Sequence, residues 1–247
     1  MHARIAAVLL LASTAAFAQS HADWTYQGKT GALVWGKIDP SYVACAKGDL
    51  QSPVDIRSPR LNTGLKPIEF HYIAGGVTIE NNGHTIQVDV HPGSYIVVAG
   101  ARYDLVQFHF HHPSEHTIRG KYADMEVHLV HRSADGKLAV LGVLLSEEGQ
   151  YPNAVLATLW QNLPKQAGKS QPIDAMINPG GLLPTDRDYW TYTGSLTTPP
   201  CTEGVSWFLY ENPVSISRSQ LNTFDAIYKM NTRPIQDLNK RKIEATK

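Results

Sequence analysis

Apolar and polar residues alternate through the middle of the chain. Ile68 to Ile73, Val77 to Glu80, Thr85 to Val90, Tyr95 to Val98, Tyr103 to His111, Met125 to Arg132 and Leu138 to Leu145 are rich in β-branched and aromatic residues. Each reads as a strand. Asn81-Asn82-Gly83-His84 lies between two of them. Asn and Gly accept positive φ, so this is a tight turn that makes a hairpin. Gln51 to Ile56 reads as a turn leading into a short extended piece, and Val205 to Tyr210 as a further strand. Helical spacing comes late. Asn153 to Gln161 puts Val155, Leu156, Leu159 and Trp160 on one side behind a capping Asn153, and Gln220 to Tyr228 is a second helix. Trp24 to Trp35 is aromatic and Gly-rich without a period, and reads as irregular chain packed on something. Leu163 to Arg187, rich in Pro and Gly, reads as a long surface loop. The pattern predicts a β-rich α+β protein with few helices and excludes a doubly wound nucleotide fold. No G-x-G-x-x-G or P-loop is present.

The alternation also sorts chemistry onto faces. On the strand ending at His111, Gln107, His109 and His111 point one way and Phe108 and Phe110 the other. The two imidazoles stand roughly 6.6 Å apart along the strand, too far to touch and suited to reaching one metal ion. On Met125 to Arg132, Glu126, His128 and Val130 share a face. If the two strands pair, His128 reaches the same point. Three neutral imidazoles with an open fourth position is the pattern of a catalytic zinc site. Gln107 and Glu126, two residues before ligands, are placed to hold the other ring nitrogens. His112, His116 and His131 are out of phase with this set. His116 and His131 read as packed, hydrogen-bonded residues, and no role is evident for His112.

Residues 1–18 read as a signal peptide. Arg4 is the positive end, Ile5 to Ala12 the apolar run and Ala16-Phe17-Ala18 the cleavage site. The run is too short to span a bilayer. An exported protein, periplasmic or secreted, is expected, with residues 19–247 as one domain. Arg4 is the only formally charged residue removed, so the mature charge is 21 − 22 = −1. A near-neutral chain without a basic patch argues against nucleic acid or a membrane surface as partner. Cys45 and Cys201 are the two cysteines. An even count in an exported chain suggests one disulfide, the alternative being two buried thiols. Neither sits in a C-x-x-C pair, which argues against cysteine ligation of zinc.

QFHFH, SEHT, ExHLVH, NNGH and GSLTTPPC, in this order and spacing, give the sequence its resemblance to the α-class carbonic anhydrases of the exported bacterial type. It covers nearly the whole mature chain, from Trp24 to Asn231-Thr232-Arg233-Pro234. The resemblance implies a single domain built on a large twisted, mainly antiparallel central sheet, with a few peripheral helices and a conical zinc cleft. It implies zinc-dependent reversible hydration of CO₂ to bicarbonate and a proton, by attack of zinc-bound hydroxide, with weak esterase side activity. His109, His111 and His128 match the Zn²⁺ ligands, one ion per chain. Gln107, Glu126 and the Asn231 carbonyl match the groups bracing them. Thr197 and Glu115 match the pair that orients the hydroxide, and His84 the proton shuttle. Tyr26, Asn82 and Gln87 match the residues ordering the water chain. Val130, Val140, Leu196, Thr198, Val205 and Trp207 match the substrate pocket, and Cys45–Cys201 a disulfide of exported members. Such relatives are often homodimers, though no interface signature is visible here.

Three other readings compete. An inactive binding module of the same fold typically lacks a ligand histidine, and all three are present here. An esterase as main role lacks an acyl or peptide groove motif such as H-E-x-x-H. A copper or nickel carrier would suit imidazole ligands, but would have no use for the Thr–Glu pair.

Overall fold

The alternating segments join into one large sheet in the computed structural model, which describes residues 23–247. The expected signal peptide lies outside the described residues. The principal strands are β1 (Gly75–Asn81), β2 (Ile86–Val90), β3 (Ala101–His111), β4 (Met125–Arg132), β5 (Leu138–Ser146), β6 (Lys169–Ile177), β7 (Tyr189–Ser195) and β8 (Glu203–Tyr210). They lie in the order β6-β1-β2-β3-β4-β5-β8-β7. Every neighbouring pair in this run is antiparallel except β5 and β8, which run parallel. Short strands extend it: Tyr95–Val98 pairs with β3, and Glu244–Ala245 with β7. The described residues form a single domain, as the sequence pattern implied.

The two-residue period gives the sheet two apolar faces. Phe108 and Phe110 of β3, Val127 and Leu129 of β4 and Leu141, Val143 and Leu145 of β5 bury into one core. Two helices cover that face, Ala154–Trp160 with Leu156 and Leu159, and Arg218–Asp225 with Leu221 and Phe224. Full burial of Phe108 and Phe110 contributes roughly 1.5–3 kcal/mol each. The opposite face carries His109, His111 and His128, bordered by a second cluster that includes Val140, Val205, Trp207 and Leu209. The ligand candidates thus stand on strands whose other faces are locked in the main core.

Local chemistry sets the element boundaries. Asn153 accepts a hydrogen bond from Leu156 N–H, capping its helix as expected. The later helix starts at Arg218, two residues before the predicted Gln220, because Ser217 and Gln220 form a reciprocal capping box; it ends at Asp225. The segment 163–187 is not a plain loop. It contains β6, an edge strand in which Ile173 and Ile177 are the residues buried, so it lacks the alternation of the inner strands. Pro172 is tolerated there because the strand lies at the sheet edge. The Trp24 to Trp35 stretch is two 3₁₀ turns leading into a short helix, Trp35–Ile38. Cys45 and Cys201 form a disulfide with Cα atoms 5.1 Å apart.

Candidate active site

The antiparallel register of β3 and β4 sets His128 directly opposite His109 and Glu126 opposite His111. The three imidazoles each offer a ring nitrogen within 4.8 Å of the others. Their second nitrogens are all occupied. His109 Nδ1 donates to Gln107 Oε1 at 2.8 Å, His111 Nδ1 to the Asn231 carbonyl at 2.8 Å and His128 Nε2 to Glu126 Oε1 at 2.8 Å. A carbonyl and a carboxylate only accept, so the proton of each ring must lie on the braced nitrogen. That leaves Nε2 of His109, Nε2 of His111 and Nδ1 of His128 as lone pairs facing one point. Burial pulls the pKa of all three histidines down, His111 to about 4, so the rings are neutral at pH 7. Neutral, braced imidazole is the form that binds a metal.

His111 Nε2 and Glu115 Oε2 are buried without any hydrogen-bond partner, 3.6 Å from each other. Native interiors rarely leave such atoms orphaned. A cation at the shared point would bond the imidazole nitrogen and lend its charge to the carboxylate, so the residues fit a metal ion. Burial pushes Glu115 up to about 7, against the pull of His128, the Arg233 N–H and the Thr197 hydroxyl. Arg233 N–H donates to Glu115 Oε1 at 2.8 Å. A divalent charge nearby would draw the carboxyl toward its ionised form.

Glu126 is held on every side. Besides His128, its oxygens take His116 Nδ1–H at 2.7 Å and the backbone N–H groups of Glu115 and His116 at 2.9 and 2.8 Å. Burial would raise its pKa, yet His116, His128 and these donors hold it well below the usual carboxylate range. His116 Nε2 in turn accepts from Tyr192 OH at 2.6 Å. Gly142 lies opposite His128 on β5, and a Cβ there would stand 3.0 Å from Glu126 Oε1 and 2.8 Å from Leu209. The sequence points to Glu126 but not to its other partners, which lie 10 and 11 residues before it on the segment between β3 and β4.

Thr197 is buried on the loop between β7 and β8. Leu196 N–H donates to Thr202 O and Cys201 N–H to Thr198 O, closing this loop at 2.9 and 2.8 Å. Val140, Val205 and Trp207 belong to the second apolar cluster, with Val130 and Leu196 packed against it. Trp207 meets the His128 ring edge-on at 4.8 Å. Thr198, next to Thr197, is half-buried.

His84 sits at the β1–β2 turn, where Gly83 takes φ +89°. Its ring stacks on Trp24 at 3.7 Å, with 8° between planes. Burial lowers its pKa and Asp23 partly offsets this. Trp24 was no site candidate in the sequence; its aromatic, unpatterned surroundings were the only signal. Tyr26 is edge-on to Trp24 at 5.3 Å, and burial with the nearby Glu115 raises its pKa well above the usual phenol range. Asn82 Oδ1 is committed to its own turn, accepting His84 and Thr85 N–H at 2.9 Å each. Gln87 pairs with His109 across β2 and β3, and its amide donates to Asp89 at 2.8 Å. His112 stands outside the cluster: its Nδ1 donates to Asp124 O at 2.7 Å and its Nε2 lies 3.4 Å from Asp225. His131 is buried in the opposite face and accepts Tyr72 OH at 2.6 Å.

The profile of the eukaryotic-type carbonic anhydrase family matches residues 30–247. The chain belongs to this family. It is 39% identical over 236 residues to a carbonic anhydrase of Pectobacterium carotovorum, covering 95% of this chain and 96% of that one. It is 41% identical over 221 residues to a carbonic anhydrase of Klebsiella pneumoniae, covering 88% and 89%. An α-carbonic anhydrase from Thermovibrio ammonificans, solved with the inhibitor sulfanilamide, superposes with a TM-score of 0.88 at 42% identity, covering 91% of this chain and all of that one. The protein is accordingly a carbonic anhydrase-family lyase. Its reaction is the reversible hydration of CO₂, a small-molecule substrate, to bicarbonate and a proton. Among the described residues no helix is long and apolar enough to cross a membrane.

Proposed function

We propose that His109, His111 and His128 hold one zinc ion and that hydration takes place beside it. The supporting observation is the orientation of three neutral imidazoles, each with one nitrogen hydrogen-bonded to an acceptor and the other turned to a common point. When bound, zinc supplies a Lewis acid that brings the pKa of a coordinated water toward neutrality, an effect for which carbonic anhydrase itself is the standard example.

The chain does the rest. The Thr197 hydroxyl donates a hydrogen bond to the Glu115 carboxylate, so toward the attacking oxygen it can only accept. That turns a lone pair of the oxygen toward the carbon of CO₂. Val130, Val140, Leu196, Val205 and Trp207 offer the apolar substrate a dry wall, with Thr198 at its edge. His84 carries the released proton to buffer, helped by water ordered near Tyr26, Asn82 and Gln87. A slow ester hydrolysis at the same site belongs to this reading. So does export of residues 19–247 after loss of residues 1–18, for which the disulfide speaks.

His128→Ala tests the ligand assignment. Loss of both zinc and CO₂ hydration is expected by metal analysis and stopped flow. A purified variant that keeps stoichiometric zinc would refute it.

A further inference from the structure

The Asn231 side chain is fully buried and makes bonds its backbone does not need. Its Nδ2 donates to the carbonyl of His84 at 3.1 Å and to that of Phe110 at 2.9 Å. Its Oδ1 accepts the backbone N–H of His112 at 2.8 Å. Two carbonyls and one N–H leave no freedom in which end of the amide is which. Meanwhile its own carbonyl holds His111 Nδ1 at 2.8 Å. One residue therefore touches the turn carrying His84 and the strand end carrying His109 and His111.

A second tie lies beside it. Tyr228 OH donates to Asn81 Oδ1 at 2.5 Å, and the same oxygen accepts Gly83 N–H at 3.2 Å. Asn81 Nδ2 reaches Pro164 O at 3.0 Å. Thr85 Oγ1 donates to Phe110 O at 2.5 Å, meeting the Asn231 amide on the same carbonyl. The turn is thus fixed from below at both ends, while Trp24 stacks on the His84 ring. A turn on the rim of a sheet ordinarily frays, and its side chain drifts with it. Here the backbone of residue 84 is held at a set position relative to the metal-ligand strand. The imidazole itself is packed on Trp24.

We infer that the Asn231 side chain and the Tyr228 hydroxyl are positioning residues for proton transfer, clamping the His84 turn to the strand that carries the metal ligands. This rests on the reading of His84 as the proton carrier. Proton transfer through ordered water depends steeply on distance, and a misplacement of about 1 Å can cost on the order of a hundredfold. The side-chain bonds of Asn231 and the Tyr228 hydroxyl reach the turn and the strand backbone, whereas His111 is braced by the Asn231 backbone carbonyl, which these substitutions keep. Loosening the clamp therefore slows regeneration more than attack.

The test compares the zinc-loaded wild type with His84→Ala, Asn231→Ala and Tyr228→Phe by stopped-flow CO₂ hydration in dilute, non-imidazole buffer and after adding imidazole. Asn231→Ala keeps the backbone carbonyl that holds His111, and zinc content is measured on each sample. The expected result is a fall in kcat of roughly tenfold for Asn231→Ala. Tyr228→Phe falls less. In both, the fall in kcat exceeds any fall in kcat/KM, and imidazole restores it. Equal falls in kcat and kcat/KM without rescue, or no fall at all, would overturn the inference. If Asn231→Ala does not fold, an unaltered kcat in Tyr228→Phe counts against the clamp. His84→Ala separates the two readings. If it shows no buffer-dependent loss, the assignment of His84 is what fails; if it does and the other variants do not, the clamp fails.

Discussion

Glu126 holds His128 Nε2 at 2.8 Å with the same oxygen that holds His116 Nδ1 at 2.7 Å. Both histidines donate, so the carboxylate must stay ionised, and two further backbone N–H groups keep it so. A negative charge behind a ligating imidazole raises its basicity and fixes its tautomer. Glu126→Gln presents an amide whose nitrogen cannot accept. Zinc affinity should fall by about 10–100-fold, the usual cost of losing such a partner. Competition against a chelator measures it, and an unchanged affinity would show that Glu126 serves His116 alone.

Thr197→Ala removes the hydroxyl proposed to link Glu115 to the attacking oxygen while leaving all three imidazoles braced. Zinc should be retained and the CO₂ hydration rate should fall on the order of a hundredfold, as for loss of one preorganised hydrogen-bonding group. Stopped flow with metal analysis on the same sample checks both. A normal rate would end the orienting role.

His131 makes stability depend on pH. Burial brings its pKa down to about 4, while an unfolded histidine stays near 6.5. Between these values the unfolded chain binds the proton and the folded chain does not, so stability rises with pH. The contribution is complete above about pH 6.5 and is lost as pH falls toward 4, with a full size on the order of 3 kcal/mol. Urea unfolding of wild type and His131→Gln across this window should give a steeper slope for the wild type. Parallel slopes would contradict the assignment.

The Cys45–Cys201 bond closes 156 residues. In the chain-entropy account a loop of this size stabilises by about 4–5 kcal/mol. Cys201 N–H also donates to Thr198 O, beside Thr197. The double variant Cys45→Ala, Cys201→Ala should unfold at a clearly lower denaturant concentration than the oxidised wild type. An equal midpoint would mean that the loop is held without the bond.

Much of this site was legible in the sequence because it lies on strands. The two-residue period alone put His109 and His111 on one face and gave His128 the matching phase, and the register of β3 against β4 places His128 opposite His109. The proposed apolar wall rests on family resemblance, since Val130, Val140 and Val205 look like any strand residue. What stayed hidden was long-range. Trp24 meets His84 across 60 positions, Asn231 meets the turn across 147, and Arg233 meets Glu115 across 118. No local period encodes such contacts. Strand β6 escaped for a different reason: an edge strand buries little, so its pattern is that of a loop. The parallel pairing of β5 with β8 was equally invisible, because alternation fixes which face a residue takes but not the neighbour of its strand.

In the proposed mechanism a metal ion on His109, His111 and His128 is what makes this chain hydrate CO₂. The most direct measurement is stopped-flow CO₂ hydration on the mature protein as isolated, after removal of metal by a chelator, and after return of one equivalent of zinc. Rapid hydration at one zinc per chain is expected, with its loss when the metal is removed and its recovery with zinc. Rapid hydration by metal-free protein, or a zinc-loaded wild type that does not hydrate CO₂, would contradict it.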